Sequence, residues 1–234
     1  MADIDAGVLD ALKALDTPTV CNALEIVAPK RRGYGYTVEP LVCTRPELGS
    51  MVGFARTATI RAMHPSDLSR EEAGALRDRY YSYVDDGPKP SIMLIQDLDG
   101  ASRGYGSLWG EVNSNIHYGL GCLGVITDGS VRDIPDVAEG FQMLANRIGP
   151  SHAFVHQVDV GAPVNVAGMR VVDGDLIHAD MHGAVVIPKD VAAEVPDAAA
   201  LIARREGVII SAAQQEGFNF EQLRKAWGDS AEIH

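Results

Sequence analysis

Cysteine is scarce in this chain: Cys21, Cys43 and Cys122 are the only three, and no two share a Cys-x-x-Cys spacing. An odd, scattered set excludes a disulfide framework and a zinc knuckle. Cys122 lies in the apolar run from Leu120 to Ile126 and reads as buried filler. Long apolar runs are missing too. None approaches the roughly 18 residues of a membrane-spanning helix, so no membrane partner is expected. The opening Met-Ala-Asp-Ile-Asp-Ala has neither the basic nor the apolar region of a secretory leader, and a cytoplasmic location is the expectation. Positive charge is in deficit. Twenty Lys and Arg face 32 Asp and Glu, for a net charge of −12. The basic clusters are Lys30-Arg31-Arg32 and Arg204-Arg205, each able to cap a helix or sit on a solvated face. This balance argues against a nucleic-acid partner. It leaves room for a small anionic substrate, which needs only one local pocket.

No Pro/Ser-rich linker, charge-dense tract, internal repeat or low-complexity segment divides the chain. With 46% hydrophobic residues there is material for a sizeable core, and one domain over residues 1–234 is expected. Val8, Leu9, Leu12 and Leu15 fall at helical spacing. Thr17 as N-cap with Pro18 at the first position predicts a second helix to about Ile26, giving terminal helices over about 5–26. Residues 27–50 read as irregular chain. Met51–Ala62 alternates and predicts a strand. Ser69–Val84 predicts a helix with Ser69 or Asp67 as cap and Glu71-Glu72 in its first turn. Residues 91–96 predict a strand, 97–106 a loop, Leu108–Leu120 a helix and Leu123–Thr127 a buried strand. That strand–loop–helix–strand order favours parallel neighbours. Short strands follow at about 141–144, 153–158, 164–166, 169–172, 176–178 and 184–187, with Val172-Asp173-Gly174-Asp175 and Asp180-Met181-His182-Gly183 as turn chemistry. Helices are expected again over about 189–228. The fold class is α/β, with a mixed central β core and flanking helices.

Two segments carry candidate chemistry. The glycine-rich stretch Gly104-Tyr105-Gly106-Ser107-Leu108-Trp109-Gly110 precedes a helix, whose unpaired N–H groups and partial positive charge suit a carboxylate or phosphate. It can equally be a mere connection. Thr127-Asp128-Gly129-Ser130-Val131-Arg132-Asp133 follows a buried strand directly, where α/β proteins place ligands. Arg132 can hold a carboxylate or an enolate oxygen. Asp133 can ligate a hard divalent cation. The plainer alternative has Asp133 capping the next helix and Arg132 pairing with a nearby carboxylate.

Glu111, twenty intervening residues and then Arg132-Asp133 form an acidic-x20-Arg-Asp pattern. With Trp-Gly-Glu at 109–111, Gly-x-x-Gly-Val-Ile-x-Asp-Gly-x-Val-Arg-Asp at 121–133, Val-Asp-Gly-Asp at 172–175 and Ala-Asp-x-x-Gly-x-Val-x-Ile-Pro at 179–188, the chain resembles the RraA-like family from about Leu15 to Pro188. That family contains 4-hydroxy-4-methyl-2-oxoglutarate aldolases of the class II pyruvate aldolase type, related oxaloacetate decarboxylases, and RraA, an inhibitor of a ribonuclease. The resemblance implies a swivelling, phosphohistidine-domain-like β/β/α fold and homo-oligomers, trimers or hexamers, with sites between subunits. It implies that Gly110, Glu111, Val112 and Asn113 form the substrate loop, with backbone N–H groups meeting a substrate carboxylate. Arg132 matches the substrate-binding arginine and Asp133 the metal-ligand aspartate. Glu111 matches the acidic member beside a metal-bound water.

The implied activity is that of a metal-dependent lyase. A Mg²⁺ or Mn²⁺ ion acts as Lewis acid on a small 2-oxo acid, Arg132 helps stabilise the pyruvate enolate, and a water assisted by Glu111 takes the hydroxyl proton in retro-aldol cleavage. Oxaloacetate decarboxylation needs the same enolate without that base. The rival expectations are a non-catalytic RraA-type protein-binding regulator and a related lyase or hydratase acting on a sugar-derived 2-oxo acid, with Tyr80, Tyr81 and Tyr83 either shaping its pocket or, as the preferred reading, belonging to an ordinary packed helix. Arg147, His152 and His156 are secondary candidates. His182 is read either as part of a tight turn or as an interface residue. Glu194, Glu206 and Glu216 are candidates for an acidic group lent to a neighbouring subunit.

Overall fold

The computed structural model describes residues 4–234. In chain order they form α1 (Ala6–Lys13), α2 (Thr17–Val27), β1 (Val42–Cys43), β2 (Met51–Arg61), α3 (Arg70–Asp85), β3 (Ser91–Asp97), β4 (Ser107–Trp109), α4 (Glu111–Gly119), β5 (Cys122–Val131), β6 (Gln142–Ile148), β7 (His156–Val160), β8 (Val164–Val166), β9 (Met169–Val171), β10 (Leu176–Asp180), β11 (Gly183–Ile187), α5 (Val195–Ala213) and α6 (Phe220–Ala231). The result is a mixed α/β fold. One sheet runs β1-β6-β5-β3-β2-β10-β11, with β4 added to β5 and β7 to β2.

The four central strands β6, β5, β3 and β2 are parallel; β1 pairs antiparallel with β6, β10 with β2, and β11 with β10. Strand periodicity sorts their side chains to two faces. Ile92, Leu94, Ile126 and Leu144 join one core, closed over by the β8–β9 hairpin through Val164, Val166 and Met169. Met93, Ile95, Val125 and Met143 join the other, which α3 covers with Tyr80 and Val84. A third core packs Leu12, Val20, Leu24 and Val195 of the terminal helices on Leu176, Val185 and Ile187. Among the described residues no helix is long and apolar enough to cross a membrane.

Several boundaries differ from the sequence reading. The N-cap of α2 is Asp16, whose carboxylate accepts from Thr19 N at 2.8 Å. Thr17 is engaged elsewhere, with its hydroxyl 3.0 Å from His178 Nδ1. Leu108 and Trp109 belong to β4 rather than to the following helix, because β4 pairs with β5 through Ser107 to Ser130 and Trp109 to Val131. For the same reason β5 continues through the segment expected as loop, to Val131. At the C-terminal end, α5 begins at Val195 after a short 3-10 turn, not at 189.

α3 starts at Ser69 with a full capping box to Glu72. Its far end is clamped by buried Arg56, which makes two bonds to Asp173, at 2.8 and 3.0 Å, and stacks on the Tyr83 ring at 3.5 Å. The tyrosines of α3 are therefore largely packing groups: Tyr80 is fully buried and Tyr83 is held between Thr57 N and Asp173. Both basic clusters are local tethers. Arg31 bonds Val186 O and Arg32 pairs with Glu25. Arg205 Nε donates to Ile233 O at 3.0 Å.

Candidate active site

β4 and β5 lie side by side, and each delivers one arm of the site at its end. β4 runs through Trp109 into Gly110 and the first turn of α4. β5 runs through Val131 into Arg132 and Asp133. The arms are joined by backbone: Arg132 N donates to Trp109 O at 2.9 Å. They are joined again by side chain, with Glu111 N reaching Asp133 Oδ2 at 3.4 Å and Arg132 Nε 3.5 Å from the same oxygen. Gly110 is extended, so its backbone would accept any residue. Space is what demands glycine, since a Cβ there would sit 2.4 Å from Asp133 Oδ2 and 3.2 Å from Arg132 Cγ.

Asp133 itself has φ 53, in the left-handed region that Asp tolerates better than most residues. Its carboxylate does not cap the 3-10 turn that follows, at Ile134–Asp136. The capping alternative is thus excluded, while the pairing of Arg132 with a neighbouring carboxylate is present, to Asp133. Both side chains are about one-third exposed and open to a ligand.

The first turn of α4 is oriented for an anion. Among the described residues Val112 N and Asn113 N have no backbone acceptor, and the helix dipole adds positive potential at this end. Val112 is 69% exposed, and Glu111 is exposed beside it. The structure therefore brings together Gly110, the Glu111–Asn113 turn, Arg132 and Asp133. The side chain of Asn113 is not available to a ligand: Nδ2 donates to Leu108 O at 2.6 Å and Oδ1 accepts from Tyr81 Oη at 2.8 Å.

The remaining candidates serve locally. Arg147 donates twice to Gly104 O, at 2.9 and 2.7 Å. His152 Nδ1 lies 2.8 Å from Ala153 O and His156 Nδ1 2.8 Å from Phe154 O. His182 belongs to the β10–β11 turn, where its N and Nδ1 both meet Asp180 Oδ1. Glu194, Glu206 and Glu216 are all exposed and lie near or within α5 or just after it.

For a divalent ion, the donor set is spare. No group of three His, Cys, Asp or Glu side chains is placed to hold a metal among the described residues. A site with one protein carboxylate fits Mg²⁺ or Mn²⁺ only where water and ligand oxygens supply the rest, which is the usual mode for Mg²⁺. Asp133 fits that pattern, since Oδ1 makes no hydrogen bond among the described residues.

Sequence reasoning missed Asp97 and Asp128, which close the C-terminal end of β3 and face a cavity of about 420 Å³. Asp128 Oδ1 accepts from Asp97 N at 2.7 Å, and Asp97 accepts from Gly104 N and Asp99 N. Burial pushes the Asp128 carboxyl up to about 6 and raises that of Asp97 as well. The folded chain holds the Asp128 proton more tightly than the unfolded chain. This group therefore costs nothing below about pH 4 and destabilises increasingly as pH rises through about 6. Asp128→Asn keeps the acceptor for Asp97 N. It is expected to stabilise the protein by about 3 kcal/mol at pH 8 and by nothing at pH 4. Thermal melts of both proteins across that range test this, and an equal difference at both ends contradicts it.

The fold is thus a mixed α/β sheet whose β4 and β5 ends set an open helix N-terminus against an Arg-Asp pair. Residues 10–186 match the Aldolase/RraA family, and the chain belongs to this RraA-like family. It is 26% identical over 166 residues to Protein DlpA of Legionella pneumophila, covering 68% of this chain and 26% of DlpA. It is 30% identical over 116 residues to the uncharacterized protein MJ0644 of Methanocaldococcus jannaschii, covering 49% of this chain and 56% of that one. The matched part thus spans only about a quarter and about half of these curated relatives. Among solved structures, an uncharacterized protein from Pseudomonas syringae superposes with a TM-score of 0.72 at 26% identity, over 96% of this chain and 95% of its own. Streptomyces coelicolor RraAS2, described as an unusual member of the RNase ES inhibitor RraA family, gives 0.66 at 21%, over 88% and 97%.

Proposed function

We propose that the chain is a divalent-metal-dependent lyase that cleaves a C–C bond in a 2-oxo acid, by retro-aldol cleavage of a 4-hydroxy-2-oxo acid, by oxaloacetate decarboxylation, or by both. The observation that carries this reading is the contact of Asp133 with the open first turn of α4, beside Arg132. In this reading Val112 N and Asn113 N bind the substrate carboxylate, which the helix end favours. Arg132 binds the keto oxygen and holds the negative charge that develops there as the bond breaks. Asp133 holds Mg²⁺ or Mn²⁺ with help from water and substrate oxygens, and the ion supplies Lewis-acid polarisation of the 2-oxo group. Retro-aldol cleavage also requires a proton acceptor for the departing hydroxyl, and Glu111 is the carboxylate at hand. Decarboxylation releases CO₂ and needs no such base, so one site serves both.

The outer face of α4 exposes Val112 and Ile116 next to these groups. An apolar face of this kind supports a homo-oligomer, trimer or hexamer, whose neighbouring copy borders the site. The same face suits a regulator that docks a protein partner, which is the competing reading.

Pyruvate release from a panel of 4-hydroxy-2-oxo acids and from oxaloacetate is expected with added Mg²⁺ or Mn²⁺, and its loss on chelation. No pyruvate from any of them, at any metal concentration, would falsify the lyase reading. Capture of a ribonuclease, together with no metal binding by calorimetry, would favour the regulator.

A further inference from the structure

We propose that Tyr81 is a positioning residue for the carboxylate-binding turn, acting through the side chain of Asn113; this rests on the lyase reading above. α4 spans nine residues, and Gly110, its N-cap, supplies no side-chain hydrogen bond. A helix that short and uncapped does not fix its own first turn. Its orientation relative to Arg132 and Asp133 must come from tertiary ties.

Side-chain ties of this kind start from Ser114 and from Asn113. Ser114 Oγ donates to Glu111 O at 2.8 Å and lies 3.1 Å from Ala138 N, which donates to it. The other is a relay from α3 to β4. Leu108 O can only accept, so the Asn113 group facing it is Nδ2. Oδ1 therefore faces Tyr81, and the tyrosine hydroxyl is the donor. The carboxamide thus bridges α3 and β4 across the Gly110 corner, and it belongs to the residue whose own N–H is offered to the ligand. Behind it, Tyr80 Oη meets His117 Nε2 at 2.8 Å, and His117 Nδ1 meets Asn113 O at 2.7 Å. Burial drives this imidazole down to about 4, so it is neutral at pH 7. Because Asn113 O only accepts, Nδ1 carries the hydrogen and Nε2 accepts from Tyr80. Adjacent tyrosines of α3 thereby hold the side chain and, through His117, the carbonyl of Asn113.

The third tyrosine of α3 gives a control. Tyr83 also lies on α3, but its hydroxyl serves Asp173 and Thr57 rather than α4. The experiment measures pyruvate affinity by calorimetry in Mg²⁺, KM and kcat for pyruvate release, and Tm. The proteins are wild type, Tyr81→Phe, Asn113→Ala, the double variant and Tyr83→Phe. Loss of one hydrogen bond that orients the binding turn predicts a rise of about fivefold in both pyruvate Kd and KM for Tyr81→Phe, with kcat within about twofold. Adding Tyr81→Phe to Asn113→Ala should change nothing further, because the two act as one unit. Tyr83→Phe should lower Tm and leave Kd unchanged. Unaltered pyruvate affinity in Tyr81→Phe, or an equal loss in Tyr83→Phe, overturns the inference while the lyase reading stands. A wild type that binds no pyruvate removes both.

Discussion

On the proposed lyase reading, Asp133→Ala is expected to reduce pyruvate release by about 10³-fold, because it removes the carboxylate that would hold the metal and with it several kcal/mol of Lewis-acid stabilisation. Arg132→Ala is expected to cost about 10²-fold through loss of the charge-assisted donor at the developing enolate oxygen. Lysine should restore little of this, since a point charge does not replace a planar fork. Neither change should disturb the fold by more than about 1 kcal/mol, because both side chains are partly exposed and the Glu111 N contact with Asp133 is long, at 3.4 Å. The check is a coupled assay for pyruvate beside a thermal melt for each variant. Asp133→Ala with activity within tenfold of wild type would move the metal, or the reaction, elsewhere.

Trp109→Ala should have the largest effect on stability. Trp109 is fully buried, with its ring 4.5 Å from His117 and 5.6 Å from Phe141 between centroids. Truncation leaves a cavity that the flanking strands cannot close, at a cost of about 3–5 kcal/mol, or about 10 °C in Tm for a chain of this size. Trp109→Phe should cost much less. It refills most of the volume and deletes a buried Nε1 that has no acceptor. Urea titration of the three proteins compares them directly. An alanine variant as stable as the phenylalanine one would mean that the ring contributes no packing energy. Because Trp109 O receives Arg132 N, alanine should also lower activity even where the protein is folded.

Much of the frame was legible from local pattern. β2, β3 and α3 begin and end close to where alternation and the Ser69–Glu72 capping pair place them. What local pattern missed depended on partners far away in sequence. Leu108 and Trp109 look like the head of a helix until β5 arrives beside them, with Val131 opposite Trp109. Asp128 and Gly129 look like a turn, yet they lie within β5, where Asp97 N takes up the Asp128 carboxylate. Thr17 looks like a cap, but His178, 161 residues on, claims its hydroxyl.

The candidate site was legible in its residue types and spacing. Glu111, Arg132 and Asp133 were recognisable from the pattern, and the fold brings the two segments into contact. Tyr81 was not recognisable as a contact of Asn113, since nothing in a helical tyrosine announces which loop it will touch. Arg147, His152 and His156 had the right chemistry for a site, but main-chain carbonyls occupy them.

The seam between β4 and β5 has a consequence for how such a protein can change over time. The two arms share one hydrogen-bonded edge, closed by Arg132 N to Trp109 O. The loop before β4 and the chain after Asp133 can therefore lengthen, shorten or mutate without altering the spacing between the arms. A lineage built on this seam is free to vary the chain around the site while the relation of Gly110 and Glu111 to Arg132 and Asp133 stays fixed.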